Sequence, residues 1–326
     1  MEPVEPTPEA DESLAPAEVA AAAAMAQRIS ENIRRAVKVR DEQLSHTIVA
    51  LLAEGHVIVE DYPGVGKTAL ARALSRSIEC QFARVQCTAD LLPADIVGTN
   101  VYNQREGRFE FRPGPIFANV VIVDEINRAS PKTQSGLLEC MQERHVTVDA
   151  TSHELARPFM VFATQNPVEY EGTYPLPEAQ VDRFMVRLSL GYPTAEEEAG
   201  MLAGHESRDR VLDLEPVADR AEIVDAVETA HRVHASRALR DYIVALLRRT
   251  REDDRVELGA SPRAGLMLLR AAKARALVHG RDHALPDDVQ ALADAVLSHR
   301  LMLAPEAAGV RRSEIVAGAI ASVRAL

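Results

Sequence analysis

The stretch VEDYPGVGKTA (residues 59–69) decides the fold. It matches the phosphate-binding pattern G-x-x-x-x-G-K-[ST], except that Asp61 stands where the pattern has its first glycine. The apolar run 56–60 supplies a strand before the loop, and the residues from Lys67 onward favour a helix after it. A strand, a glycine loop and a helix in this order predict that the chain binds the phosphates of a nucleotide.

The predicted nucleotide-binding residues form one continuous turn. Glycine at positions 64 and 66 lets backbone N–H groups approach phosphate oxygens, and the helix N-terminus attracts negative charge. Lys67 is expected to contact the β- and γ-phosphates, and Thr68 to coordinate Mg²⁺. The full predicted set is Pro63, Gly64, Val65, Gly66, Lys67, Thr68 and Ala69.

Asp61 is the departure from the pattern in this turn. The first glycine lies at the end of the strand, before the segment that wraps the phosphates. A carboxylate about 8 Å from a phosphate charge would repel it by about 2 kcal/mol at an effective dielectric constant of about 20. Mg²⁺, Lys67 and the loop amides can offset this repulsion, and Asp tolerates unusual backbone angles better than most residues. We therefore expect the loop to retain phosphate binding.

The 326-residue chain is acidic and poor in aromatic residues. It carries 37 Lys and Arg against 49 Asp and Glu, a net charge of −12, and its aromatic content is 4%. Because nucleic-acid backbones require a basic surface, nucleic acid is not expected as a main partner. No apolar run reaches the ~20 residues that span a bilayer. The three cysteines fit no zinc or redox spacing, so we expect a cytoplasmic protein with free thiols.

The chain divides into three predicted parts. Residues 1–27 are predicted to form an acidic disordered tail, because the first 26 residues carry six acidic and no basic residues; its alanine-rich end could run into the first helix. Residues 28–191 form an α/β core in which a parallel sheet of five apolar strands lies between helices, with ligands at the carboxyl ends of the strands. Residues 192–326 repeat apolar positions every ~3.6 residues and predict an all-helical second domain. The five predicted strands are 56–60, 82–87, 120–124, 159–164 and 185–190.

Polar residues follow two of these strands. Asp124 and Glu125 end the run 120–124, where Asp124 would hold Mg²⁺ and Glu125 would polarise an attacking water. The alternative is a buried strand that ends in a solvated acidic turn. Asn166 follows the next run, where its amide could order that water, or it could be a turn residue before proline.

Arg183 precedes the fifth strand. It could project to a neighbouring subunit and stabilise charge in the transition state, as arginine fingers do. The alternative is a surface salt bridge to Asp182 or Glu178.

These motifs resemble the MoxR family of AAA+ ATPases, over residues 28 to 303. The chain departs from the family at residues Val39 to Asp41, where the family has a different turn beside the adenine pocket. The motifs that carry the resemblance are EDYPGVGKT (60–68), FRPGPIFAN (111–119), VDEINRA (123–129), GLLECMQER (136–144), PFMVFATQNP (158–167), YPLPEAQVDRF (174–184), GASPRA (259–264), GRD (280–282), PDDV (286–289) and VLSHRL (296–301).

The resemblance implies a role for each candidate residue. From its position alone, Arg263 would be a solvated arginine in the first turn of a helix; the resemblance instead implies a sensor 2 residue that reaches from a helical lid onto the γ-phosphate. The other implied roles are Walker A for Lys67 and Thr68, Walker B for Asp124 and Glu125, sensor 1 for Asn166 and a trans-acting arginine finger for Arg183.

The same resemblance implies a homo-oligomeric ring, expected to be a hexamer, that hydrolyses ATP with Mg²⁺. The work would be chaperone-like remodelling, or metal-cofactor insertion, in a protein client, with a partner that carries a von Willebrand A domain. Two hairpins are expected, at 103–111 around Gly107 and at 144–153, and they would contact the client or only space the subunits. A nucleotide-gated assembly scaffold with little turnover is the alternative; a DNA-handling motor is disfavoured by the acidic charge.

Overall fold

A computed structural model describes residues 14–61, 64–165, 172–192, 195, 210–307 and 309–325. Along these residues the helices are α1 (Pro16–Ala36), α2 (Asp41–Leu52), α3 (Lys67–Ser77), α4 (Pro93–Val97), α5 (Pro131–Glu143), α6 (Glu178–Val181), α7 (Arg220–Arg232), α8 (Arg237–Arg251), α9 (Pro262–Val278), α10 (Pro286–Leu297) and α11 (Arg312–Ser322). The strands are β1 (Val57–Glu60), β2 (Phe82–Gln86), β3 (Gly98–Asn103), β4 (Arg108–Pro113), β5 (Val120–Asp124), β6 (His145–Val148), β7 (Thr151–Glu154), β8 (Met160–Gln165), β9 (Val186–Leu188), β10 (Val256–Leu258) and β11 (Met302–Leu303). In this part of the chain no helix has the length and apolar character to cross a membrane.

The predicted parallel sheet is confirmed, with strand order β2-β5-β8-β1-β9. Its strands are apolar throughout because both faces are covered: Val57 and Val59 join one hydrophobic cluster, and Ile58 between them joins the other. The register aligns the strand ends, with Glu60 opposite Gln165 and Gln86 opposite Asp124. The carboxyl edge of the sheet therefore gathers polar side chains from four segments of the chain.

The amino-terminal helix differs from the predicted tail. α1 begins at Pro16, so the prediction of disorder up to residue 27 is wrong for residues 16–27, while residues 1–13 lie outside the described part. Composition averaged over the whole segment hid an amphipathic helix whose apolar face packs on α3, α7 and α9. The buried residues of this stretch are Val19, Ala22, Met25 and Ala26.

The carboxyl-terminal part is helical, as predicted, and is joined to the core. Helix α9 packs on α1 and α2, and α10 contacts β9, so one hydrophobic cluster continues from the sheet into this lid. A short antiparallel ribbon of β10 and β11 was not predicted, and the helix predicted for 286–303 ends at Leu297. The helix predicted at 195–203 lies outside the described residues, apart from Ala195.

Both predicted hairpins are present. β3 pairs with β4 through a turn that contains Gly107, and β6 pairs with β7. The two hairpins contact each other: the rings of Phe111 and His153 stack at 4.0 Å, and Asn100 Nδ2 donates to Asp149 Oδ2 at 2.8 Å. They therefore form one projecting unit on the core.

Candidate nucleotide-binding site

The phosphate loop has the backbone that its glycines predict. Gly64 and Gly66 take φ angles of 85° and 92°, a region that favours glycine, and Gly66 caps α3 directly before Lys67. Among the described residues, apart from the chain neighbours, no atom lies within 4 Å of where a Cβ would stand at either glycine. Of the predicted set, Pro63 lies outside the described residues, as does its neighbour Tyr62.

Asp61 is buried and does not point at the loop. Its carboxylate accepts hydrogen bonds from Ser189 Oγ at 3.2 Å, from the backbone N–H of Gly191 at 3.2 Å and from the backbone N–H of Leu190. The repulsion expected from the sequence took no account of these donors. Here three hydrogen bonds compensate the charge of Asp61.

Lys67 lies among the acidic residues of this edge. Its Nζ donates to the backbone oxygen of Asp61 at 2.8 Å. Burial lowers the pKa of Lys67 overall, although the negative charges of Asp61, Asp124 and Glu125 act in the opposite direction. The two predicted Walker B carboxylates therefore lie close enough to Lys67 to interact with it.

The end of β5 presents both of these carboxylates. Asp124 Oδ2 accepts from Arg84 Nε at 2.7 Å, and Asp124 Oδ1 accepts from Thr164 Oγ1 at 3.3 Å. Glu125 has a left-handed backbone, with φ 55° and ψ 52°, and its N–H donates to Thr164 Oγ1 at 2.9 Å. A left-handed conformation costs free energy for glutamate and is concentrated at functional sites, so the fold holds this side chain out of the strand direction.

The structure adds residues that the sequence did not reveal. Glu125 Oε2 accepts from Gln86 Nε2 at 3.2 Å and from Arg128 at 3.1 Å. Gln86 and Arg84 reach the site because β2 pairs with β5, and no local sequence pattern predicts this pairing. Arg84, on β2, pairs with Asp124. Thr164 could have been found from its place at the end of an apolar run, directly before the polar segment.

Asn166 lies outside the described residues. Strand β8, which precedes it, ends at Gln165 beside Glu60 of β1, on the same edge as the phosphate loop. The sensor 1 role of Asn166 therefore stays a prediction.

Arg183 lies at the opposite edge of the sheet. Two residues further on, the N–H of Met185 donates to the backbone oxygen of His56, which precedes β1, and an Arg183 guanidinium N–H donates to Leu138 O at 2.6 Å. Among the described residues Arg183 forms no salt bridge to Asp182 or Glu178, the alternative considered from the sequence; Asp182 pairs with Arg300 at 2.8 Å instead.

Arg263 lines the same cleft as Arg183. The cleft, which also includes Glu54 and His56, has a volume of about 220 Å³ and lies where β1 begins, whereas the phosphate loop follows the end of β1. At ~3.3 Å per residue, the four residues of β1 separate these two regions by about 13 Å. Within one chain, Arg263 therefore lies with Arg183 and away from Lys67, and its sensor 2 role stays a prediction.

The cleft carries an excess of positive charge. Glu54 accepts from Arg144 at 2.6 Å, Arg157 at 2.8 Å and His231 at 3.2 Å, and Arg270 lies 3.8 Å from it. Burial acts to raise the pKa of Glu54, but the hydrogen bonds of His231 and Arg144 and the charges of the arginines outweigh it and lower the pKa to about 2.

Two guanidinium nitrogen atoms of this cleft make no hydrogen bond to the described residues. The Nε atoms of Arg183 and Arg270 are buried and have no hydrogen-bond partner among the described residues. An arginine cluster with a single compensated carboxylate and unused donors is suited to bind an anion.

Comparisons with known proteins agree with the fold and the glycine loop. A family model described as "ATPase family associated with various cellular activities (AAA)" matches residues 56–186, and one described as "AAA lid domain" matches residues 248–318. The protein YeaC of Bacillus subtilis, described as uncharacterized, is 48% identical over 90% of this chain and 92% of its own length.

Two further comparisons carry more informative names. Chaperone MoxR1 of Mycobacterium tuberculosis is 39% identical over 86% of this chain and 76% of its own length. Among solved structures, a crystal structure of a candidate ATPase from Cytophaga hutchinsonii matches with a TM-score of 0.89 and 34% identity, over 95% of this chain and 97% of that one. Protein MoxR of Methylorubrum extorquens is 33% identical over 91% of this chain and 93% of its own length.

Proposed function

This chain belongs to the MoxR family of AAA+ ATPases, and from that premise we propose that it is a Mg²⁺-dependent ATPase that works as a cytoplasmic homo-oligomeric ring, expected to be a hexamer. One observation carries the proposal: the acidic carboxyl edge with the phosphate loop and the arginine cleft with Arg183 and Arg263 lie on opposite edges of the same sheet. A subunit that holds two half-sites on opposite edges needs a neighbour to complete either of them.

The carboxyl edge supplies the binding half of the reaction. The amides of residues 64–68 would hold the triphosphate of ATP, and Lys67 would neutralise its β- and γ-phosphates. The hydroxyl of Thr68 and the carboxylate of Asp124 are hard oxygen donors of the kind that Mg²⁺ takes, so these residues fit the ion and would hold it. The bound ion would supply charge neutralisation on the phosphates.

Glu125 supplies the group that accepts a proton. We assign it to orient and polarise the water that attacks the γ-phosphate, with Asn166 as the residue that helps to order this water. Gln86 and Arg128 donate to the Glu125 carboxylate, whereas Arg84 and Thr164 donate to that of Asp124. The two carboxylates therefore have different hydrogen-bond partners.

The arginine cleft supplies the other half, in trans. Arg183 and Arg263 would enter the neighbouring subunit's site and stabilise the charge that develops on the transferred phosphoryl group. On this proposal the sensor 2 role of Arg263 is exerted on the neighbouring subunit, which gives the lid a function at the interface. Loss of the γ-phosphate would then release the lid of one subunit from the core of the next.

A mixing experiment tests the shared site. Lys67→Ala and Arg183→Ala proteins are each expected to be inactive, yet a mixed ring has interfaces where one subunit contributes an intact loop and its neighbour an intact cleft. In an equal mixture, about a quarter of the interfaces are intact if subunits assort at random. Recovery of phosphate release towards that fraction supports the proposal; no recovery in rings shown to be mixed by mass spectrometry contradicts it.

The hairpin unit supports work on a protein client. Tyr102 and Phe109 are exposed, and their ring centroids lie 5.3 Å apart on the hairpin of β3 and β4. Exposed aromatic pairs are suited to contact other proteins. We propose chaperone-like remodelling or metal-cofactor insertion in a client, with a partner that carries a von Willebrand A domain; the relative from Mycobacterium tuberculosis is itself named a chaperone. Tyr102→Ser with Phe109→Ser should abolish client capture while it preserves basal phosphate release.

A nucleotide-gated scaffold with little turnover is the second candidate. One observation favours it: both carboxylates of the carboxyl edge are engaged, Asp124 by Arg84 and Glu125 by Arg128. Steady-state phosphate release by the wild type and by Glu125→Gln, each with Mg²⁺ and excess ATP, separates the two functions. If the wild type is no faster than the variant, the scaffold is correct and the ATPase motor is not.

A further inference from the structure

The Asp61 carboxylate holds a turn that lies 128 residues further along the chain. Its three donors come from Ser189, Leu190 and Gly191, which follow β9 directly. Asp61 is only 5% exposed, so these hydrogen bonds are shielded from water. Gly191 takes a φ angle of 71°, in the left-handed region that favours glycine; residues 189–191 are called the exit turn below.

The same turn is tied to the first helices. Arg40, which precedes α2, donates to Ser189 O at 2.8 Å, and α2 packs against β9 and against the lid helices α7 and α9. The residues 189–191 are thus connected to the core through Asp61 and to the helical layer through Arg40. A shift of residues 189–191 would therefore act on both the core and the helical layer.

The backbone of Asp61 is tied to the phosphate loop. Its carbonyl oxygen accepts the hydrogen bond of Lys67, and its N–H donates to Gln165 O at 3.4 Å on the neighbouring strand. Asp61 therefore makes two connections: its main chain binds Lys67 of the loop, and its side chain binds the exit turn. A glycine at this position could make the first connection but has no group for the second.

We propose that Asp61 is a positioning residue that transmits occupancy of the phosphate loop to the exit turn 189–191, and through it to the lid. Phosphate oxygens form stronger, charge-assisted hydrogen bonds with an ammonium group than a backbone carbonyl does. A triphosphate therefore draws Lys67 away from the Asp61 carbonyl, and the strand end shifts with its carboxylate still held by the turn. The nucleotide-dependent step rests on the proposed ATPase function; the link between Asp61 and the turn does not.

The decisive variant is Asp61→Gly, which restores the glycine of the general loop pattern. If Asp61 were only a tolerated departure, this change would leave the protein unaltered. On our proposal, hydrogen exchange at the amides of Leu190 and Gly191 becomes at least about tenfold faster, since charge-assisted hydrogen bonds are lost there. Asp61→Asn keeps one acceptor oxygen and is expected to lie between the wild type and the glycine variant. Ser189→Ala removes one donor and should give a smaller effect of the same kind.

Nucleotide provides a readout that a merely structural role would not change. In the wild type, Mg²⁺ with a non-hydrolysable ATP analogue should alter exchange at these two amides by at least about threefold, and in Asp61→Gly it should not. The KM for ATP should stay within about threefold of the wild type while kcat falls about tenfold or more, because binding is kept and its transmission is lost.

The outcomes are separable. Unchanged exchange at Leu190 and Gly191 in a folded Asp61→Gly protein overturns the link, as does a raised KM with unchanged kcat. If Asp61→Gly does not fold, the same measurements on Asp61→Asn decide. If the wild type releases no phosphate at all, the ATPase proposal fails, yet exchange in the absence of nucleotide still decides whether Asp61 holds the turn.

Discussion

The two edges of the central sheet carry different functional groups and arise from different kinds of sequence. The carboxyl edge presents Asp124 and Glu125 around Lys67, and these residues belong to short motifs that follow single strands. The cleft at the amino edge gathers Arg144 and Arg183 from two segments of the core, and Arg263 and Arg270 from the lid helix α9. Each edge holds groups that the other lacks, which is the property expected of half-sites that meet between subunits.

The largest expected effect comes from the arginine cleft. Arg183→Ala should lower phosphate release on the order of a thousandfold and leave the affinity for ATP nearly unchanged, because an arginine finger acts on the transition state in the neighbouring site. Turnover and calorimetric binding measured on the same preparation check this. Arg248→Ala, at an exposed position of the lid helix α8, is the matched control. Loss of binding with unchanged turnover per bound site would contradict the comparison of the two edges.

The carboxyl edge should respond to Glu125→Gln with a smaller loss. Removal of the proton-accepting carboxylate is expected to cost about a hundredfold in kcat, within the range of general acid–base contributions, while ATP stays bound. Rapid-quench measurement of phosphate release reports the loss. Glu257→Gln, on the exposed ribbon, serves as the control. A Glu125→Gln protein as fast as the control would remove Glu125 from the chemistry.

The position of Glu54 in the cleft also predicts how the free energy of unfolding depends on pH. The folded pKa of Glu54, about 2, lies below its ordinary value of 4.5, so between these values the unfolded chain binds more protons. The stabilisation is therefore present above about pH 4.5 and is lost as the pH falls towards 2. We expect Glu54→Gln to lower the free energy of unfolding by about 1 to 3 kcal/mol at pH 7, allowing for partial solvent screening. Urea unfolding at several pH values checks this; a difference as large at pH 2.5 as at pH 7 would contradict it.

The smallest expected effect is at the metal-binding carboxylate. Arg84 is half exposed and competes for Asp124, so Arg84→Ala should lower the Mg²⁺ concentration for half-maximal phosphate release by about two- to fivefold. A magnesium titration of the turnover rate measures the change. Arg84→Lys, which keeps the charge, should titrate close to the wild type. A requirement for more Mg²⁺ in Arg84→Ala would mean that Arg84 orients Asp124 and does not compete for it.

The comparison of the two edges also explains which features of the fold could be predicted from the sequence. The five strands and both hairpins were predictable because an apolar run or an alternating pattern is a property of neighbouring residues. Helix α1 was placed too late because composition averaged its apolar face with the acidic residues before it. The short ribbon of β10 and β11 has only five residues, which are too few to show a periodic pattern of apolar residues.

The sequence by itself determined the phosphate loop and the acidic strand end, since each requires only a strand, a turn and a few side chains within about a dozen residues. Tertiary structure alone decided where the arginines meet and what Asp61 holds. Arg183 and Arg263 become neighbours because β9 pairs with β1 and the lid returns against the sheet. Asp61 finds its donors 128 residues away. Such contacts depend on strand order and helix packing, which leave no period or spacing in the chain.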